Sequence, residues 1–176
     1  MKSINYKLLG ILIAVMCSAS CKLTSKHMST AIHSPLLIDE VDKGWLRFSL
    51  YILNDTVANG QHEMLYSIRV VNTSDNFSPL RKIVKNIDEY NIAYAYLLNQ
   101  AKNDFILFSN NDLFYPNYYA VENNYNAFPF EAINVGYSIL EKKQRHSDRL
   151  IAYVDKVFTQ DTIVFNLTPH QFITHK

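Results

Sequence analysis

The stretch that decides the fold is Trp45-Leu46-Arg47-Phe48-Ser49-Leu50-Tyr51-Ile52-Leu53. Its even-numbered residues are apolar and most of the others are polar or aromatic, which is the period of a half-buried β-strand. Residues 64–71 repeat the pattern less cleanly. Between the two segments lies Asn59-Gly60, a pair that readily adopts positive φ. The sequence therefore predicts a long β-hairpin near the start of the folded domain, which we expect to open near residue 42.

The next segment, residues 79–101, predicts a helical insertion. Ser78 is a suitable N-cap, and Pro79 fits the first helical position because its missing N–H has no partner there in any helix. The apolar residues that follow at helical spacing are Leu80, Ile83, Val84, Ile87, Tyr94, Leu97, Leu98 and Ala101.

The same segment leaves an alternative open. We expect the helix to break near Asn86 and to restart at Asp88 and Glu89. Residues 90–98 also alternate, however, and could instead form a strand. Both interpretations place Tyr94 and Leu98 in the core.

From residue 104 onward the pattern is again that of β-structure. Residues 105–108 and 113–115 flank four turn-forming residues, 109–112, and predict a second hairpin. The segments 131–139, 150–157 and 162–167 predict three more strands. The fold class expected from the whole order is mainly β (α+β), an antiparallel β-sandwich with one long helical insertion.

Residues 112–125 are the densest aromatic segment and the best candidate for a binding surface. Pro116 predicts a short helix through residue 125, with Tyr118, Val121 and Tyr125 packed inward and Tyr115 and Tyr119 outward. Aromatic side chains near a carboxylate are good anchors for protein recognition. The candidate partner-binding residues are Tyr115, Tyr118, Tyr119 and Glu122. The alternative is that this segment is simply part of the core.

The N-terminus predicts export and a lipid anchor. Two lysines, an apolar run at 8–16 and the small residues 18–20 precede Cys21, which is the order of a secretory signal. The apolar run is shorter than the roughly 20 residues needed to cross a bilayer. The stretch resembles the lipobox of bacterial lipoproteins: Ala19 and Ser20 fit it, and Ser18 replaces the usual Leu. The resemblance implies acylation of Cys21. Ordinary secretion and an uncleaved anchor are the alternatives.

Three segments follow from this leader. We expect a signal peptide at 1–20, the lipidated Cys21 with a flexible tether at 21–41, and a single β-rich domain at 42–176. The tether is expected because residues 22–36 are rich in Ser, Thr and Lys and lack an apolar period. The chain has only two cysteines, Cys17 and Cys21, so the exported domain is expected to contain no disulfide.

Composition and motifs argue against several function classes. The formal net charge is +1, which does not suggest a nucleic-acid partner. Only 4 glycines are present, so a Gly-rich phosphate loop is not expected, and the six histidines do not show the paired spacing of zinc sites. Nucleophile elbows and metalloprotease motifs are absent from the sequence. We therefore expect no enzyme, no cofactor and no metal.

A second resemblance covers about residues 90–139. The order of a helix containing Asp-Glu-Tyr, a strand containing Asn-Asp-Phe-Ile-Leu, and Pro116-x-x-Tyr119 followed by Glu122-x-x-Tyr125 is similar to a group of uncharacterised outer-membrane lipoproteins of Bacteroidota type. The resemblance implies a lipid-anchored accessory part of a secretion or motility machine. No acidic run follows Cys21, which in such lipoproteins indicates a periplasm-facing protein.

The function predicted from the sequence is a non-enzymatic binding component of an envelope protein complex. Its expected partners are the lipid bilayer, through Cys21, and another envelope protein. The expected location is the outer membrane, with the lipid-anchored domain facing the periplasm; the inner membrane and exposure at the cell surface are the alternatives. A periplasmic inhibitor or small-ligand-binding module is the alternative, and it would require a concave aromatic pocket. An enzyme of unknown class is a second alternative.

Overall fold

The computed structural model describes residues 35–58, 60–123, 128–140 and 149–167, which belong to one compact unit. The strands in this part of the chain are β1 (Leu36–Lys43), β2 (Leu46–Ala58), β3 (Gln61–Asn72), β4 (Phe105–Ser109), β5 (Asp112–Phe114), β6 (Tyr118–Glu122), β7 (Phe130–Leu140), β8 (Arg149–Val154) and β9 (Thr162–Asn166). The helices are α1 (Pro79–Ile83), α2 (Ile87–Asn99) and a 3₁₀ turn at Ala101–Asp104. The leader, Cys21 and the first part of the predicted tether lie outside the described residues.

Two antiparallel sheets form a sandwich. The five-stranded sheet has the order β1-β2-β3-β7-β6, and the four-stranded sheet has the order β5-β4-β8-β9. Both helices lie in the connection between β3 and β4, so they interrupt the strands as one insertion. The predicted fold class is confirmed: the protein is mainly β, with an antiparallel sandwich and a helical insertion.

The core lies between the two sheets, where both contribute large apolar side chains. The rings of Phe105 and Tyr153 stack with their centroids 4.3 Å apart and their planes nearly parallel. Phe48, from the opposite sheet, contacts Tyr153 with a centroid distance of 6.5 Å. The other core residues with no exposed surface include Leu50, Ile68, Val70, Leu107, Ile133, Val135, Ile151, Ile163 and Phe165. Burial of this apolar surface is the main force that holds the sheets together.

The predicted long hairpin is confirmed, and it is longer than the sequence pattern suggested. β2 and β3 pair from Leu46 opposite Asn72 to Ala58 opposite Gln61. Gly60 has φ +74°, as expected at the turn, while Asn59 lies outside the described residues. The second hairpin is also confirmed, because Asn110 and Asn111 have positive φ between β4 and β5.

The helical insertion breaks where the sequence predicted. The Ser78 hydroxyl accepts a hydrogen bond from the Arg81 N–H and caps α1. The Asn86 side chain accepts one from the Glu89 N–H and starts α2. Since residues 90–98 lie within α2, the alternative of a strand there is wrong. The expected burial of Leu98 is also wrong, because 45% of this residue is exposed and Leu97 faces the core instead.

The short helix predicted from Pro116 is not present. Residues Tyr118–Glu122 form strand β6, which pairs with β7 from Tyr118 opposite Gly136 to Glu122 opposite Ala132. Aromatic and β-branched side chains favour a strand, and β7 offers an unpaired edge that satisfies the main-chain polar groups. This long-range pairing outweighs the local helix-start signal. Residue 125, predicted to continue that helix, lies outside the described residues.

The predicted tether ends earlier than expected. Its last residues belong to β1, so the described part of the domain begins at Leu36 rather than near residue 42. A register shift between Leu37 and Asp39 interrupts the alternation, which hides this strand in the sequence. β1 pairs with β2, and the Asp39 carboxylate accepts a hydrogen bond from the Asn166 N–H of β9 at 2.8 Å. β1 therefore joins the edges of the two sheets.

Candidate functional site

The aromatic segment predicted to bind a partner is divided among three surfaces. Because β6 is a strand, its neighbouring side chains point in opposite directions. Tyr118 and Glu122 lie on the outer face of the five-stranded sheet, and Tyr118 is 50% exposed. Tyr119 points inward, and Tyr115 follows β5 on the other sheet. The expectation that Tyr119 faces outward and Tyr118 inward is therefore wrong.

Tyr119 is part of the structural core. Its ring lies against Phe105 with a centroid distance of 5.9 Å, and its hydroxyl donates a hydrogen bond to the Leu97 carbonyl at 2.6 Å. Burial raises the pKa of the Tyr119 phenol well above its ordinary value of 10. A side chain held in this way is not available to a partner.

The strongest candidate for a docking site is the outer face of the four-stranded sheet, which we call the apolar face. The strand register places Leu113, Phe108, Leu150 and Asn166 in one cross-strand row. The next row contains Ile106, Ala152 and Val164, and Val154 lies opposite Thr162 in a third. The apolar face therefore consists of Ile106, Phe108, Leu113, Leu150, Ala152, Val154 and Val164, with Thr162 and Asn166 at its margin.

The apolar face carries no charged side chain at any of these register positions. Leu113 is 53% exposed and Val164 is 42% exposed, and Phe108 and Leu150 between them are half-buried. Among the described elements, α1 and α2 contact β3, β6 and β7, which are strands of the other sheet. Contiguous apolar patches on a protein surface usually mark an interaction site.

Tyr115 extends this surface. Leu107 pairs with Phe114 and Phe108 with Leu113, so the same register continued by one residue places Tyr115 beside Ile106. Tyr115 is 59% exposed. Of the four candidate binding residues predicted from the segment, Tyr115 is thus the one next to the apolar face, and Tyr118 and Glu122 lie on the opposite sheet.

The sequence contains a signal for the apolar face, which is the unbroken apolar runs of two strands. β4 contains the uninterrupted apolar run Phe105-Ile106-Leu107-Phe108, and β8 contains Leu150-Ile151-Ala152-Tyr153-Val154. Such runs are typical of strands that are covered on both faces, whereas a strand with one face in water alternates. The runs distinguish β4 and β8 from β2, where Arg47 and Ser49 separate the core residues.

The buried acidic groups of the domain have structural roles. The Asp155 carboxylate accepts hydrogen bonds from the main-chain N–H groups of Val157, Phe158 and Thr159 and shapes the β8–β9 loop. Asp104 accepts hydrogen bonds from the Tyr96 hydroxyl and, at 2.6 Å, from the Lys156 ammonium group. In each case, neighbouring donors satisfy the carboxylate, so we assign no catalytic role to it.

Glu131 is a third buried carboxylate. It accepts hydrogen bonds from the Ser78 hydroxyl and the Leu80 N–H at the start of α1. Burial raises the pKa of Glu131 above its ordinary value of 4.5, although these two donors lower it. The contact connects β7 to the helical insertion.

Neither the histidines nor a cleft beside the β8–β9 loop suggests chemistry. Within the described ranges, no group of three or more His, Cys, Asp or Glu side chains is arranged to hold a metal ion. His62 contacts the carboxylate of Asp55 across the β2–β3 hairpin. An open cleft of about 390 Å³ is lined by Val154, Asp155, Lys156, Gln160, Asp161 and Thr162. This polar lining differs from the aromatic pocket that a small-ligand module would need.

Comparisons with protein-family models, with curated proteins and with solved structures found no match. The resemblance to Bacteroidota-type lipoproteins stays a prediction. Among the described residues, none of the helices combines the length and the hydropathy needed to cross a membrane.

Proposed function

We propose that this chain is a non-enzymatic lipoprotein of the bacterial envelope, anchored by acylated Cys21, whose sandwich domain docks on another envelope protein through the apolar face. In this proposal the anchor lies in the outer membrane and the domain faces the periplasm. The docking partner covers β4 and β8 in the assembled complex. The protein serves as an accessory component of that complex.

The proposal rests on a difference between the two faces of the four-stranded sheet, both of which are apolar in β4 and β8. On the inner face, β4 and β8 contribute fully buried residues such as Leu107 and Ile151, whereas Leu113 and Val164 on the outer face are 53% and 42% exposed. Leaving this surface in water is unfavourable by about 25 cal/mol for each Å² of apolar area. A second protein with a complementary apolar surface would remove that penalty.

The chemistry of the apolar face favours a protein over the bilayer surface as its occupant. Segments that lie on anionic membranes combine apolar residues with lysines and arginines that contact the head groups. The cross-strand rows of the apolar face contain neither. Tyr115 beside the face is a residue type enriched in protein interfaces.

The proposal is tested by site-specific photocrosslinking in intact cells that make the full-length protein. A photoreactive amino acid is placed at Leu113 or at Val164, and the covalent products are identified by mass spectrometry. We expect the same envelope protein to be captured from both positions. Val57 is the matched control, because it is also on a strand and 56% exposed but lies on the β2–β3 hairpin.

A second arm uses charge to disrupt the contact. Val164→Asp should lower the yield of the Leu113 crosslink by at least about tenfold, since a buried unpaired charge is strongly unfavourable at an interface. Val57→Asp should leave the yield unchanged. Products that contain only lipid, only a second copy of this chain, or the same proteins from Val57 as from Leu113 would overturn the proposal.

A further inference from the structure

A second cleft lies where the turn after β3 meets helix α1, and we call it the Phe77 cleft. It is open to solvent, has a volume of about 390 Å³ and is lined by Phe77, Arg81 and Lys82. Helix α1 contacts β3 and β7 of the five-stranded sheet, so the Phe77 cleft is separate from the apolar face. An aromatic ring beside cationic side chains suits a ligand that has an apolar group next to an anion.

The turn presents the Phe77 ring to solvent from a well-held main chain. Phe77 is 65% exposed. Its N–H donates a hydrogen bond to the Asp75 carboxylate at 3.0 Å, and its carbonyl accepts one from the Asn72 side-chain amide at 2.9 Å. The N–H and the hydroxyl of Thr73 both donate to the Trp45 carbonyl, at 3.0 and 2.9 Å, and attach the turn to the start of β2. A ring placed in this way costs little conformational entropy when a partner covers it.

Lys82 forms one side of the cleft, and its charge is already compensated. Its ammonium group lies 2.5 Å from the Asp75 carboxylate and donates a hydrogen bond to the Ser74 hydroxyl. The same group lies 4.6 Å from the centroid of the Trp45 ring. The hydrogen bond from Lys82 lowers the pKa of Asp75, so both members of the pair are charged at neutral pH.

Arg81 supplies the uncompensated charge of the cleft. It is exposed, and within the described part of the chain its guanidinium forms neither an ion pair nor a hydrogen bond. Its main-chain N–H, by contrast, donates to the Ser78 hydroxyl in the cap of α1. Because Asp75 compensates Lys82, one net positive charge remains, which complements a carboxylate better than a dianionic phosphate. The planar fork of arginine also matches the two oxygens of a carboxylate.

The charge count favours a protein segment over a membrane surface as the occupant. Surfaces that recognise anionic lipids present clusters of about 4–8 Lys or Arg residues. Among the residues that line the Phe77 cleft, only Arg81 is unpaired. The stretches of this chain outside the described residues do not supply the required ligand, because their only acidic residues are Glu141 and Asp148, and segment 141–148 contains no apolar residue.

We infer that the Phe77 cleft binds an acidic segment of a partner protein, in which an apolar residue stands two positions from a Glu or Asp. The carboxylate accepts two hydrogen bonds from Arg81, and the apolar side chain packs on the Phe77 ring. Residues two positions apart in an extended segment point to the same side and are about 7 Å apart, so both reach one cleft. This site does not depend on the function proposed for the apolar face.

The inference is tested with blocked hexapeptides added one at a time to the full-length protein. In the acidic peptides, Glu or Asp stands two positions from Phe or Leu. One control set has Gln or Asn instead of the acidic residue, and another has Ala instead of the apolar residue. Calorimetry measures affinity. Trp45 is the only tryptophan in the sequence and lies against Lys82, so its fluorescence reports binding in this cleft, provided that the peptides lack Trp.

We expect at least one acidic peptide to bind saturably and to change the Trp45 emission. Its amide and alanine counterparts should bind at least about tenfold more weakly, and so should the acidic peptide to Arg81→Gln or Phe77→Ala. Lys85→Gln and Ile87→Ala are the matched controls. Both residues are exposed and belong to the same insertion, Ile87 is 68% exposed, and neither lines the cleft. They should leave the affinity unchanged.

Four results would overturn the inference. They are the absence of binding by every acidic peptide, equal binding of the acidic and amide peptides, full affinity in Arg81→Gln, and binding that leaves the Trp45 emission unchanged. Thermal melts show whether each variant is folded.

Two further measurements exclude other occupants. Cys21→Ala protein, which lacks the proposed anchor, is mixed with phosphatidylglycerol vesicles, and the wild type is examined by sedimentation. Vesicle binding that requires Arg81 would identify a membrane as the occupant. A dimer that dissociates on Arg81→Gln would identify a second copy of the chain. Either result would reject an acidic partner segment.

Discussion

The hydroxyl of Tyr119 donates a hydrogen bond to the main-chain carbonyl of Leu97, with 2.6 Å between the two oxygens. Leu97 lies in the last turn of α2, where carbonyl groups have no partner within the helix. The bond therefore satisfies a helix end and attaches the helical insertion to edge strand β6. It also explains why an aromatic residue in a segment that resembles a binding surface belongs to the core.

Removal of this hydroxyl is expected to destabilise the fold. Tyr119→Phe keeps the ring against Phe105 but leaves the Leu97 carbonyl unpaired, so the free energy of unfolding should fall by about 1 kcal/mol. Tyr118→Phe is the control and should stay within about 0.5 kcal/mol, because Tyr118 is an exposed neighbour on the same strand. Urea unfolding followed by circular dichroism measures both. Equal losses in the two variants would contradict the inward orientation of Tyr119.

The stability of the domain should depend on the protonation of Glu131. Burial raises its pKa in the folded protein above 4.5, so between the unfolded and folded pKa values the folded state binds more protons than the unfolded state. The contribution of Glu131 is therefore fully present below about pH 4.5 and is lost as the pH rises through the folded pKa.

Glu131→Gln isolates this contribution from the other acidic groups. Relative to the wild type, the variant should become more stable as the pH is raised from about 4 to about 7, because it has no carboxyl group to ionise at this position. Urea midpoints measured at several pH values for both proteins give the difference directly. A difference that is independent of pH would show that Glu131 titrates as it does in the unfolded chain.

The β8–β9 loop is expected to depend on the Asp155 carboxylate. Oδ1 accepts hydrogen bonds from the N–H groups of Val157 and Phe158 at 3.0 Å each, and the Thr159 hydroxyl donates to Oδ2 at 2.8 Å. Asp155→Asn places an N–H₂ group where a donor already points, so we expect a loss of about 2 kcal/mol in unfolding free energy.

Asp161→Asn, in the same loop, is the comparison for Asp155→Asn. Asp161 is exposed and pairs with Lys43, so its replacement should have a clearly smaller effect on the urea midpoint. If the two variants unfold at the same urea concentration, the buried carboxylate does not organise the loop.

Membrane attachment should depend on Cys21 alone. Cys21→Ala should move the protein from the membrane fraction to the soluble fraction, since each acyl methylene in the bilayer contributes about 0.8 kcal/mol to anchoring. Cys17→Ala should change neither fractionation nor incorporation of radiolabelled palmitate. Wild-type protein that takes up no palmitate would contradict acylation.

Several elements could be predicted from the sequence alone, because they depend on the chemistry of neighbouring residues. Ser78 and Asn86 start the two helices because their side chains accept hydrogen bonds from main-chain N–H groups a few residues later. Asn110 and Asn111 form the turn of the second hairpin because asparagine tolerates positive φ. The alternation at 45–53 placed Phe48 and Leu50 in the core. Each of these signals involves residues close in the chain.

Only the tertiary structure decided the secondary structure of residues 115–122 and which side chains surround Arg69. Pro116 and the aromatic residues after it fit a helix locally, but the open edge of β7 pairs with them and reverses which tyrosine faces out. Arg69 reads as an ordinary polar position in a strand, and the rings beside its guanidinium, those of Tyr51 and Phe130, come from residues 18 and 61 positions away in the sequence. Sheet pairing joins residues that are distant in the chain, so no local pattern contains the information on which faces they share.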